Sequence, residues 1–146
     1  MPNIQLFSFP GGARFQHLVR LARSDSVTGP LVAIIDDDEA LCSSIADLLR
    51  SAGYRAEGYS SAETFLASSS PSRFGCIVAD IHMPGMSGLE LIPRLRELGV
   101  PAPVIIITAL PDKHLDAEAI SLGAQCLLRK PFGKNSLLDC VERSLR

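Results

Sequence analysis

Four short apolar runs in this chain each give way to a polar residue, and the polar residues differ in chemical kind. Leu31-Val-Ala-Ile-Ile35 leads into Asp36-Asp37-Asp38, Cys76-Ile-Val-Ala79 into Asp80, Val104-Ile-Ile-Ile107 into Thr108, and Cys126-Leu-Leu-Arg129 into Lys130-Pro131. Apolar runs of this length predict strands buried on both faces, as in a parallel sheet covered by helices. Such sheets gather ligands at the carboxyl ends of their strands. If the four runs are parallel neighbours, carboxylates, a hydroxyl and an ammonium meet on one rim. That is the outline of a site for a phosphate and a metal ion.

The length of 146 residues fits one domain, large enough to bury roughly two-thirds of the surface its unfolded form exposes. With 47% apolar residues, no Trp and only two Tyr, the core is expected to be aliphatic. No apolar run approaches the length of a membrane span, so none is expected. The cysteines Cys42, Cys76, Cys126 and Cys140 show no CxxC spacing and lie within apolar patterns. They read as reduced core thiols, which suits a cytoplasmic protein. The net charge of -2 offers no electrostatic reason to expect direct nucleic-acid binding.

Residues 1–30 are compositionally separate. They carry Arg14, Arg20 and Arg23 against Asp25 alone, a balance of +2 that leaves -4 for the remaining 116 residues. Arg14 to Arg23 fits a basic amphipathic helix with Phe15, Leu18, Val19 and Ala22 on one side, and Ser24 to Pro30 reads as a linker. Arg20 and Arg23 interrupt the apolar stretch, against a signal peptide. The segment is expected to be a disordered tail or a short helix that docks on this domain, on a partner or on a membrane surface.

From Leu31 onward strand and helix alternate five times. Leu41, Ile45, Leu48 and Leu49 mark one face of a first helix that stops at Ala52-Gly53, where Gly supplies a left-handed cap. Tyr54 to Tyr59 predicts a short second strand, and Ser61 an N-cap before a short helix ending near Ser68. After the third strand, Met83-Pro-Gly-Met-Ser-Gly88 breaks the chain before a helix that resumes with Leu89, Leu91, Ile92, Leu95 and Leu98. Pro93 lies past the first turn if Ser87 caps, so a displaced start or a slight kink is expected there. A polar helix from Asp112 to about Ser121 follows the fourth strand. Lys134 to Leu145 closes the pattern, with Leu137, Leu138, Val141 and Leu145 inward.

At these residues the chain resembles a known family. From Leu31 to Arg146 it is similar to a response-regulator receiver domain of the CheY-like kind, and Asp80-Ile-His-Met-Pro-Gly-Met-Ser-Gly-Leu-Glu-Leu91 resembles the FixJ-like branch. Asp36-Asp37, Thr108-Ala109 and Lys130-Pro-Phe132 occur with that string in the family's order and at its spacings, which makes the match specific. The resemblance implies a flavodoxin-like α/β fold: one doubly wound five-stranded parallel sheet of order 2-1-3-4-5 with five helices. The domain is expected over 31–146, after the 1–30 tail.

Carboxylate attack on phosphorus requires neutralised phosphoryl charge and an in-line geometry. Mg2+ suits the first need, since it takes oxygen ligands, keeps several waters and is satisfied by one or two carboxylates plus phosphate oxygens. Asp37 and Asp80 are the expected direct ligands. The resemblance adds Asp36, acting through a metal-bound water, and the main-chain carbonyl of His82. Asp80 is the expected phosphoacceptor, and a carboxylate nucleophile needs no general base. Lys130 is expected to pair with phosphoryl oxygens as a point charge, and the Thr108 hydroxyl to donate to another. The resemblance also implies a cis Lys130-Pro131 bond.

Taken singly, each residue has a plainer reading. Asp36 to Asp38 followed by Glu39 fits an acidic helix N-terminus, and Asp38 is read that way. Asp80 alone fits a turn cap, Thr108 a strand end and Lys130 a solvated cation; their joint placement carries the functional reading. His82 is expected to be an exposed loop side chain, and His17 and His114 surface residues without metal-ligand spacing. Two positions depart from the family. Leu127 stands three residues before the lysine, where many receivers carry an aromatic, so the switch pair Thr108 and Leu127 is expected to couple more weakly or differently to the face of helix 4, strand 5 and helix 5. Gly133 stands where an acidic or polar cap is common, which predicts a loosely started last helix.

The chain is therefore expected to be a two-component receiver that accepts a phosphoryl group from a sensor histidine kinase or a histidine phosphotransfer protein, with homodimerisation through that face. It is not expected to be an enzyme beyond its own phosphotransfer and dephosphorylation. Since the last helix ends at Arg146, a stand-alone receiver and a fragment lacking an output domain both stay open. A non-phosphorylated interaction module of the same fold is the alternative. A haloacid-dehalogenase-type phosphatase would want a second acid at position 82, and a nucleotide-binding module a Gly-rich turn after the first strand.

Overall fold

The computed structural model describes residues 29–68, 70–109 and 111–146. The expected tail helix and most of the linker lie outside them. Within them, the five apolar or alternating runs form β1 (Leu31–Ile35), β2 (Arg55–Tyr59), β3 (Cys76–Asp80), β4 (Val104–Thr108) and β5 (Cys126–Arg129). The helices are α1 (Glu39–Ser51), α2 (Ala62–Leu66), α3 (Gly88–Glu97), α4 (Lys113–Ser121) and α5 (Lys134–Ser144), with a 3-10 turn at Pro71–Arg73.

All strand pairs are parallel and the order is β2-β1-β3-β4-β5, as expected. Alternate strand residues supply two cores. Val32, Ile34, Cys76, Val78, Ile105 and Ile107 pack with Ile45 and Leu49 of α1 and Leu137 and Val141 of α5. Ala33, Ile35, Ile77, Ala79, Val104 and Ile106 pack with residues of α2, α3 and α4. The sheet is thus covered on both faces, which is why β1, β3 and β4 are buried at every position and carry no alternation. The fifth run departs from that expectation: all four residues of β5 are only half-buried, because β5 is an edge strand.

Local chemistry explains the helix starts. The side chain of Asp38 caps α1 by accepting from the Leu41 N–H, and Ser61 caps α2 from Thr64. Ser87 and Glu90 form a reciprocal capping box that starts α3 at Gly88. The start is therefore not displaced, and Pro93 is tolerated inside the helix, where the Leu89 carbonyl loses its intrahelical N–H partner. Gly133 precedes α5 with no side-chain cap, the weak start expected from sequence.

Gly88 is required for a tertiary reason. A Cβ there would lie 2.5 Å from the Asp80 carbonyl oxygen, inside the distance that atoms tolerate. Gly88→Ala is therefore expected to lower unfolding stability by about 1–3 kcal/mol in urea titration, as overpacking does. Unchanged stability would mean that α3 can shift away from the end of β3 without cost.

Candidate functional site

The carboxyl ends of the strands deliver the site. Asp36 directly follows β1, Asp80 and Thr108 are the last residues of β3 and β4, and Lys130 directly follows β5. Because β1 and β3 are neighbours, the acids at their ends share one rim. Carboxylate oxygens of Asp36, Asp37 and Asp80 lie within 4.8 Å of one another. Asp36 and Asp80 are buried while Asp37 is exposed, so the cluster is rooted in the core and open on one side.

Lys130 Nζ reaches this cluster from the far edge, 3.1 Å from Asp80 Oδ2 and 3.4 Å from Asp36 Oδ2. Sequence reasoning assigned the lysine to a phosphoryl group alone and did not foresee that it bridges two carboxylates. Burial opposes the Lys130 charge, but its hydrogen bond to Asp80 and the charges of Asp80 and Asp36 outweigh burial and push the ammonium above its ordinary value. Burial also pushes the Asp36 carboxyl up, and the Asp80 charge adds to that rise; the Asp38 N–H and Lys130 offset it only in part.

The main-chain N–H of His82 donates to Asp80 Oδ1 at 3.3 Å, and its side chain is exposed, as expected. Thr108 is fully buried and paired in register with Arg129, and its carbonyl accepts from the Lys130 N–H at 2.8 Å. The Lys130-Pro131 peptide bond is cis. Leu127 pairs in register with Ile106 and is half-buried against the core on the α3 and α4 side. One contributor left no local sequence signal. Glu63 of α2 accepts from the Met86 N–H at 2.8 Å and so ties down the loop between β3 and α3.

Three carboxylates within ligand distance, one of them pushed up by burial and a like charge, make a donor set that fits a hard divalent cation such as Mg2+. A bound cation would offset the charge that Lys130 alone shares between Asp36 and Asp80. Chemically, the rim joins a buried carboxylate, a cation beside it, a hydroxyl one strand over and a metal-competent acid cluster. These are the parts that phosphoryl transfer needs.

A sequence model of the response regulator receiver domain matches residues 32–142. The chain belongs to this family. Receiver domains act in two-component signal transduction and generally bind Mg2+ at acidic residues. The domain is 43% identical over 114 residues to the transcriptional regulatory protein FixJ of Azorhizobium caulinodans, covering 78% of this chain and 54% of FixJ. It is 37% identical over 116 residues to the response regulator TodT of Pseudomonas putida, covering 80% of this chain and 51% of TodT. The chain thus spans about half the length of the curated relatives it matches. In three dimensions the receiver matches a crystal structure of FixJ-N with a TM-score of 0.75 and 36% identity, over 81% of this chain and 94% of that one. Among the described residues no helix is long and apolar enough to cross a membrane.

Proposed function

We propose that this receiver takes a phosphoryl group from a phosphohistidine, on a sensor kinase or a phosphotransfer protein, onto Asp80. The observation that carries the reading is Lys130 Nζ at 3.1 Å from Asp80 Oδ2, beside the Asp36, Asp37 and Asp80 cluster. Asp80 forms the new P–O bond as the P–N bond to histidine breaks. Lys130 then pairs with a phosphoryl oxygen and the Thr108 hydroxyl donates to another. Asp37 and Asp80 would hold Mg2+ directly, Asp36 would hold it through a water, and the His82 carbonyl would complete the protein's share. The ion supplies neutralisation of the charge on the phosphoryl oxygens. The chain acts on no separate substrate; it supports only its own phosphorylation and dephosphorylation.

Residues 31–146 make up the receiver in this reading, and 1–30 a separate segment. Phosphorylation shifts Thr108 and repacks Leu127, changing the face of α4, β5 and α5. The half-buried β5 and Ile120 of α4, 67% exposed, suit that face to a protein partner, including a second copy. The net charge of -2 supports an output through protein contact and not through direct nucleic-acid contact. Incubation with acetyl phosphate and Mg2+ tests the chemistry. Intact mass is expected to rise by one phosphoryl group, and no rise under saturating donor would favour an interaction module with this fold.

A further inference from the structure

Two thiols sit together at the opposite end of β5 from the acid cluster. Cys126 opens β5 and, through Ile105 and Val78, stands in register on the sheet face that α5 covers. Cys140 projects from α5 onto the same face. Both line one open cavity of about 400 Å³. The two sulfurs are near enough for each to bear on the other's ionisation, and Arg143 Nη2 lies 3.7 Å from Cys140 Sγ. None of the four cysteines is in a disulfide.

We propose that Cys126 and Cys140 form an oxidisable dithiol, which a peroxide converts to a disulfide joining β5 to α5. Burial differs between the two in a way that assigns their roles. Cys126 is half-buried and lines the open cavity, while Cys140 is 3% exposed. Cys126 is therefore the sulfur that a peroxide reaches first, while burial, with the neighbouring Cys126 sulfur, pushes the Cys140 thiol up.

The Cys126 sulfur, having released its proton, attacks one peroxide oxygen. The O–O bond breaks, water leaves and a sulfenic acid remains. Cys140 then attacks that sulfur: the S–S bond forms, the S–O bond breaks, and the departing hydroxide takes the Cys140 proton as a second water. Two thiols lose two electrons and two protons, and the peroxide gains them. Arg143 stands beside the sulfur on which charge develops in the second step.

Cys76 shares the sheet face and lies near both sulfurs, but it is fully buried and does not line the cavity. Cys42 lies on α1, where its S–H donates to the Ile34 carbonyl at 3.7 Å. Because the dithiol is remote from the strand ends that carry Asp80, the inference stands apart from the phosphoacceptor reading, and either can fail alone.

The test is to treat the reduced full chain with hydrogen peroxide under native conditions and measure intact mass and peptide maps. The expected product has lost two hydrogens, carries a link between the Cys126 and Cys140 peptides and still gains a phosphoryl group from acetyl phosphate. Cys140→Ser is expected to stop at a sulfenic acid trappable with dimedone. Should that variant not fold, Cys126→Ser serves instead: it is expected to lose the 1:1 adduct that phenylarsine oxide forms with the parent, while Cys42→Ser keeps it. Four alkylatable thiols after peroxide, a link through Cys42 or between chains, or arsenical binding that survives Cys126→Ser would overturn the assignment.

Discussion

Asp80→Asn is expected to reduce phosphoryl uptake from acetyl phosphate to nothing measurable by intact mass, while the chain stays folded. An amide oxygen at this position is neutral and does not displace a leaving group from phosphorus, so the loss is of the reaction itself and not of a rate factor. The fold is expected to survive because the substitution keeps shape. The new amide oxygen can still accept from the His82 N–H, and Lys130 retains Asp36 at 3.4 Å. Removing the Asp80 charge also relieves one of the causes that push the buried Asp36 carboxyl up. The thermal midpoint is accordingly expected to stay within a few degrees of the parent, the range of a ~1 kcal/mol change. Uptake equal to the parent would place the phosphoryl group elsewhere and end the reading of this rim.

Much of this rim was legible before any coordinates. Strands buried on both faces leave an unbroken apolar signature, and the residue at which it stops is the residue the sheet presents at its end; Asp80 and Thr108 were found that way. The strand order was not legible locally, since nothing within Leu31–Ile35 states that its neighbours are Arg55–Tyr59 and Cys76–Asp80. It came from the family resemblance, which the parallel register then bore out. β5 shows the limit of the same signature: a central and an edge strand can share an apolar run, and only the place of β5 at the end of the sheet, among the described residues, separates them.

What stayed hidden depends on long-range proximity. The Lys130 to Asp36 contact joins residues 94 apart, and the Glu63 to Met86 bond joins residues 23 apart. No periodicity reports either. The cysteines were read as uniform core thiols, but Cys42 and Cys126 are half-buried, because the rim of a helix-covered sheet is lined by apolar residues that the core does not enclose. Gly133 was legible because capping is local chemistry: with no side chain to accept an N–H, α5 begins uncapped.

Lys130→Met is expected to destabilise the chain by about 3 kcal/mol at neutral pH, as removal of one partner from a buried ion pair does. The Lys130 side chain is 21% exposed and those of Asp36 and Asp80 are 0% and 7% exposed, so water screens the group weakly. Methionine keeps most of the stem's packing and removes the charge. The sign of the pH dependence follows from the two shifts. Lys130 is raised above its ordinary 10.5 in the folded chain. Its contribution is therefore fully present below pH 10.5 and fades as pH climbs through the folded value, so the parent loses that stability in alkali and the variant has none to lose. Asp36 is raised above 3.8. Its ionisation penalises the fold above the folded value, and the penalty vanishes as pH falls toward 3.8 because a proton then neutralises what the ammonium otherwise offsets. The stability gap between parent and variant, measured by urea unfolding across pH, is thus expected to be widest near neutrality and to narrow at both ends. A gap of constant size at every pH would show that Lys130 acts there through its packing alone, and that the two buried carboxylates do not depend on its charge.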